Sequence, residues 1–187
     1  MTLNLVTPLW RGVDNFKRLA ESIPDYTDIR WIVVKADSYI LDIDLSVYPN
    51  LHLISLNIED SKDNVHIKVN AAIDYMQPGH FQGLDDDTLF CPNGYKVWKK
   101  YGAQYKMIMG SQWLDTGGWR KGQLPGRGVT DGAQGIIDSA IVQRIRLGNQ
   151  VADGCSDGTL LVNCWAECTD EDRLITNETV SYYNFQR

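Results

Sequence analysis

At 187 residues and a net charge of −6, the chain is long enough for one domain with a substantial core and too acidic to bind nucleic acid non-specifically. Six Trp and nine Tyr exclude a disordered chain, and no apolar run approaches the roughly 20 residues of a membrane-spanning helix. Cys91, Cys155, Cys164 and Cys168 form no Cys-x-x-Cys pair and lie far in sequence from His52, His66 and His80, so the expectation is free thiols in a cytoplasmic protein, not zinc.

Residues 2–7 form an apolar run with β-branched members that stops at Pro8, the pattern of a first strand; lacking a positive flank, it does not read as a signal peptide. A helix follows from Asp14, with Val13, Phe16, Leu19, Ala20 and Ile23 at helical spacing and Pro24 closing it. Residues 29–34 are apolar almost throughout, as in a strand buried on both faces, and lead into the polar exit at Asp37. A third strand spans residues 51–56. Asp63 is expected to cap a helix running to Met76, with Val65, Val69, Ala72 and Ile73 inward and Pro78-Gly79 ending it.

Residues 81–84 supply a fourth strand, and Asp85, Asp86 and Asp87 follow at its carboxyl end. Adjacent carboxylates repel, and a buried one without a partner takes up a proton. A hard divalent cation resolves that conflict, because it prefers oxygen ligands. On an extended chain, side-chain alternation puts Asp85 and Asp87 on one side and Asp86 on the other. A solvated acidic turn is the plainer alternative. Strands alternating with helices predict an α/β fold, a mostly parallel sheet flanked by helices. Ligands bind beyond the carboxyl ends of such strands, where Asp37 and the triplet both fall.

Residues 93–101 read as a short helix and 105–109 as a strand. Between positions 110 and 135, glycines alternate with Trp113, Trp119, Arg120, Lys121 and Arg127. Such a loop suits a lid over a polar or sugar-like ligand, with cations for phosphate oxygens; a surface hairpin without chemical role is the alternative. Residues 136–142 are apolar, with no periodicity that separates strand from helix. A turn over residues 153–158 lets Asp157 cap a last helix carrying Leu160, Leu161, Cys164, Trp165 and Cys168, and residues 180–185 read as a closing strand. The chain lacks a phosphate-binding loop before Lys-Ser/Thr, a Gly-x-Ser-x-Gly motif, and a His beside a Ser or Cys motif, so a nucleophilic triad has no support.

The pattern resembles glycosyltransferases of the GT-A fold, family-2-type enzymes and their relatives. The resemblance rests on Asp85-Asp86-Asp87, which matches the Asp-x-Asp motif after the fourth strand, and on Lys68-Val69-Asn70 upstream of it. It rests also on the opening strand ending in Thr7-Pro8 and the second ending near Asp37. It covers residues 2–90 and is loose beyond them.

What the resemblance implies is a Rossmann-like single domain over residues 1–187, with a nucleotide-sugar-binding half over about 1–90 and an acceptor or lid half over about 91–187. The activity it implies is metal-dependent transfer of a sugar from a nucleotide-sugar, a UDP-sugar, to a hydroxyl of a glycan or other acceptor, with Mn2+ or Mg2+. By the same resemblance Asp85 and Asp87 are metal ligands, Asp87 foremost. Thr7, Pro8, Asp37, Lys68, Asn70, Asp85 and Asp86 are nucleotide contacts. Asp157 is the general base of an inverting transfer; Asp138 and Asp153 are its rivals, because the usual Glu-Asp pair is absent. The chain is short for that fold, which implies a further domain or a partner protein at the acceptor site. Two other readings remain. One is a nucleotidyltransferase acting on a sugar phosphate, whose glycine-rich basic signature residues 9–13 reproduce poorly. The other is a non-catalytic carbohydrate- or calcium-binding module, suggested by the Trp-rich loop and the acids.

Overall fold

A computed structural model describes residues 1–10, 12–148 and 156–183. The first apolar run forms β1 (Thr2–Pro8), followed by α1 (Val13–Ser22), β2 (Ile29–Ala36), β3 (Leu51–Leu56), α2 (Val65–Asp74) and β4 (Gly79–Gly83). The elements that follow are β5 (Thr88–Phe90), α3 (Pro92–Tyr101), β6 (Met107–Leu114), β7 (Trp119–Arg120), β8 (Gly135–Asp138), α4 (Ser139–Ile145), α5 (Ser156–Glu167) and β9 (Arg173–Tyr183). The strands make one sheet in the order β3-β2-β1-β4-β8-β6-β9-β5, with β7 hydrogen-bonded to β6 off that path. Because β1 is central, both of its faces are covered. Leu5 packs with Phe16, Trp31 and Trp98 on one side, and its neighbour Val6 packs with Ile32, Phe81 and Leu161 on the other.

The sheet is mixed, where the strand–helix alternation predicts a mostly parallel one. The β3-β2-β1-β4 half is parallel throughout. Beyond β4, β8 runs antiparallel to both β4 and β6, β7 to β6 and β5 to β9, while β6 and β9 are parallel. A parallel pair needs a crossover of a dozen or more residues, and a link as short as that from β6 to β7 can only make a hairpin.

Two local expectations change, and a third stretch, left open between strand and helix, is resolved. Asp63 lies inside a 3-10 turn (Lys62–Asn64), and Asn64, which precedes α2, makes no side-chain cap bond. Residues 136–142 divide between strand and helix: β8 ends at Asp138, whose carboxylate accepts the Ala140 N–H at 2.8 Å and starts α4. The last strand begins at Arg173, and β6 runs on to Leu114 beside it; Asn184 and Phe185 lie outside the described residues. That pairing accounts for two glycines of the 110–135 stretch. A Cβ on Gly110 would stand 2.3 Å from a Val180 methyl, and one on Gly122 would stand 2.0 Å from the Thr176 carbonyl oxygen. Trp113 and Trp119 meet edge-on across the β6–β7 hairpin, with centroids 4.4 Å apart.

At the amino end of β4, His80 is buried and held in one tautomer. Trp98 Nε1 donates to its Nδ1 at 3.2 Å, so Nε2 carries the proton and faces the Tyr105 carbonyl at 3.2 Å. Burial holds its pKa below the ordinary 6.5, against the Tyr105 carbonyl and Asp138, which favour the charged ring. Between those two pKa values the unfolded chain binds a proton that the folded chain does not. The contribution is therefore complete above 6.5 and is lost as pH falls through the folded value. Denaturant melts of the wild type should lose stability below pH 6.5 with a slope of at most ~1.4 kcal/mol per pH unit from this group, and His80→Gln should flatten that slope.

Candidate active site

β4 lies parallel to β1, and Leu84 N–H extends the pairing to the Val6 carbonyl at 2.8 Å. The chain then turns: Thr88 N–H bonds the Asp85 carbonyl at 2.9 Å, and β5 leaves towards β9. Aspartates favour such a turn, because their side chains bond nearby backbone. The alternation expected of an extended triplet therefore does not hold, since the backbone reverses within it. Asp85 is half-buried and faces a cleft, while Asp86 and Asp87 are buried.

The cleft encloses about 430 Å³ of space, open solvent included. Val6, Val69, Phe81 and Leu161 contribute to its apolar lining, and Asp85, Asp131 and Asp157 supply its carboxylates. Asp157 is in the first turn of α5 and faces Gly132, where a Cβ would meet its carboxylate at 3.5 Å. Burial, followed by the charges of Asp157, Asp131, Asp87 and Asp86, pushes the Asp85 carboxyl well above the usual range. Oxygen donors of this kind are the type that a hard divalent cation takes. Among the described residues, no three or more His, Cys, Asp or Glu side chains are already grouped as a metal cage.

Asp131 was not singled out by sequence reading. It caps a 3-10 turn (Gly132–Gln134): its Oδ1 accepts the Ala133 N–H at 2.9 Å, and Gln134 reaches back to the Asp131 N–H at 3.1 Å. The Asp-x-x-Gln spacing is a capping-box signal that could have marked it. Gln112 Nε2 at 3.2 Å and Arg120 Nη1 at 3.1 Å also bind its carboxylate, and the Arg120 guanidinium lies 5.1 Å from the Tyr183 ring centre. The hairpin thus delivers Arg120 to Asp131, one of the carboxylates that line the cleft.

The other expected residues are placed as follows. Thr7 is buried and accepts a bond from Trp31 Nε1 at 3.0 Å, while the next residue, Pro8, lines the cleft. Asp37 is exposed just past β2, with its N–H on the Leu56 carbonyl at 2.8 Å. Lys68 is fully buried, its ammonium on the Leu9 carbonyl and 2.6 Å from Asp60 Oδ1. Asn70 clamps Leu147 through both backbone groups, at 2.8 and 2.9 Å, and Leu147 lines the cleft. Asp138 is not brought to the acids. It pairs in register with His80, at the opposite end of β4 from Asp85, and serves as the α4 cap. Asp153 and Arg11 lie outside the described residues.

No protein-family model and no curated protein sequence matches the chain. Solved structures do. S. aureus TarS 1–349 superposes with a TM-score of 0.76 at 14% identity, over 98% of this chain and 60% of its own. The same protein in complex with UDP gives 0.75 at 13% identity, over 98% and 60%. The mannosyltransferase PcManGT from Pyrobaculum calidifontis, in complex with GDP-Man and Mn2+, gives 0.68 at 12% identity, over 99% and 57%. The chain therefore spans 60% of TarS 1–349 and 57% of PcManGT. At such identities the likeness is one of fold: this chain has a GT-A-like glycosyltransferase fold. Among the described residues, no helix is long and apolar enough to cross a membrane.

Proposed function

We propose that this chain is a metal-dependent glycosyltransferase that moves a sugar from a nucleotide-sugar, a UDP-sugar, to a hydroxyl of a glycan or other acceptor. The observation that carries the reading is the gathering of Asp85, Asp131 and Asp157 in one cleft at the carboxyl end of β4. It occurs on a fold that is found with UDP in TarS and with GDP-Man and Mn2+ in PcManGT. Residues 1–187 act as one unit, with the nucleotide half in about 1–90 and the acceptor half in about 91–187.

In this reading Asp85 and Asp87 would hold a Mn2+ or Mg2+ ion, a hard cation suited to carboxylate oxygens. The ion, when bound, neutralises the charge that develops on the departing diphosphate. Pro8 and Asp37 flank the nucleotide from the ends of β1 and β2. Thr7, tied to Trp31, and Asn70, tied to Leu147, keep the walls in place. Asp131 is engaged by Ala133, Gln112 and Arg120 and shapes the wall, while Asp157, which lines the same cleft from the first turn of α5, is the base. Asp157 takes the acceptor hydroxyl proton while that oxygen bonds the anomeric carbon and the bond to the nucleotide diphosphate breaks, with inversion. A further domain or a partner protein completes the acceptor site.

Calorimetric titration with UDP and GDP, with and without Mn2+, tests the reading. We expect binding of at least one nucleotide that depends on the metal. No binding of either in the presence of Mn2+ would sink the reading, and metal-independent binding of a free sugar alone would favour a carbohydrate-binding module.

A further inference from the structure

Lys68 is one of the largest fully buried side chains, although it ends in an ammonium. Its Nζ donates to the Leu9 carbonyl and pairs with Asp60 at 2.6 Å, the latter side chain being 25% exposed. The Leu9 carbonyl belongs to the same peptide unit as the Trp10 N–H, and no peptide bond among the described residues is cis. In a trans peptide these two groups point in opposite directions. The Trp10 N–H donates to Asp86 Oδ2 at 3.1 Å. One peptide plane is therefore held with a cation at its oxygen and a carboxylate at its N–H, both aligned with its dipole.

We propose that Lys68 is a positioning residue that fixes the orientation of the Leu9–Trp10 peptide and, through it, the place of Asp86 in the acid turn. The ammonium draws electron density towards the carbonyl oxygen and so makes the N–H a stronger donor to Asp86. Flipping the peptide would aim the Leu9 carbonyl at the Asp86 carboxylate and take from the buried ammonium one of its two acceptors, Asp60 being the other, so the present orientation is doubly enforced. The segment does not slide to escape, because the Leu9 N–H is tied to the Val34 carbonyl at 2.8 Å. Lys68 thereby acts on the triplet through the fold. The functional consequence rests on the nucleotide-sugar reading above; the brace itself does not.

Amide hydrogen exchange at Trp10, followed by NMR on the ligand-free protein, reads the brace directly. Lys68→Met should accelerate exchange at Trp10 by about tenfold or more, and Asp60→Asn should do so to a smaller extent. The control is Asn4→Ala, which loses bonds to the Gln77 and His80 carbonyls (2.9 and 3.0 Å) at the other end of β1. That variant should melt lower with Trp10 exchange unchanged. In the second arm, Mn2+ with UDP or GDP should bind about tenfold more weakly to Lys68→Met than to the wild type, and equally well to Asn4→Ala. Trp10 exchange within about twofold of wild type in folded Lys68→Met, or in Asp60→Asn if the first variant does not fold, overturns the proposal. If the wild type binds neither nucleotide with Mn2+, the nucleotide-sugar reading fails while the exchange result still decides the brace.

Discussion

Asp87→Asn is expected to remove Mn2+-dependent nucleotide binding and to lower transfer by at least about a hundredfold, since metal stabilisation of a leaving group supplies several kcal/mol. The fold should survive, because the substitution keeps the side chain's size in the turn between β4 and β5. The melting temperature of the metal-free protein should even rise. Asp87 is one of four acids whose charges bear on Asp85, and neutralising one relieves part of that repulsion. Relief of about 1 kcal/mol would appear as ~2–4 °C for a chain of this size. Calorimetric melting with and without Mn2+, alongside product formation from a nucleotide-sugar panel, checks both halves. Unchanged turnover in this variant would place the metal elsewhere.

The second large effect is kinetic. Asp157→Asn should cut transfer by about 10²–10⁴, the usual contribution of a positioned general base, while Mn2+–nucleotide affinity holds steady. The acid also sits in the first turn of α5, where a negative charge favours the helix by only about 0.3–1 kcal/mol, so the stability loss should be small. A melt and a binding isotherm on the same variant separate the roles. If nucleotide binding collapses along with transfer, Asp157 is a helix-start residue that shapes the cleft.

The first half of the fold was legible because its signals are local. The apolar runs that became β1 and β2 and the 3.6-residue spacing in α1 declare themselves without reference to distant partners. The second half depends on partners far away in sequence. Gly110 and Gly122 looked like loop residues until β9 was seen to press Val180 and Thr176 against them. The direction of β8 likewise follows from pairing with β4 and β6. The acid triplet was visible as a motif, but its turn geometry was not, because strand alternation presumes a strand that continues. Asp131 joins the cleft through a capping turn and an arginine from another hairpin, a convergence of tertiary origin. Lys68 was visible as the cation of the Lys68-Val69-Asn70 stretch; its reach to a backbone carbonyl was not.

The place of β9 in the sheet has a consequence for the order in which the protein becomes competent. Residues 85–90, the acid turn and β5, leave the ribosome early, yet β5 pairs with β9, whose residues are 173–183. β6 and β9 likewise pair across a long separation. Closing loops of that length costs entropy before any contact repays it, so these pairings form late. A nascent chain can therefore complete the parallel half, with the carboxyl ends of β1 and β2, while the far side of the acid turn still lacks its anchor. Synthesis of β9 then acts as a checkpoint, and the cleft is assembled only in chains that have passed it.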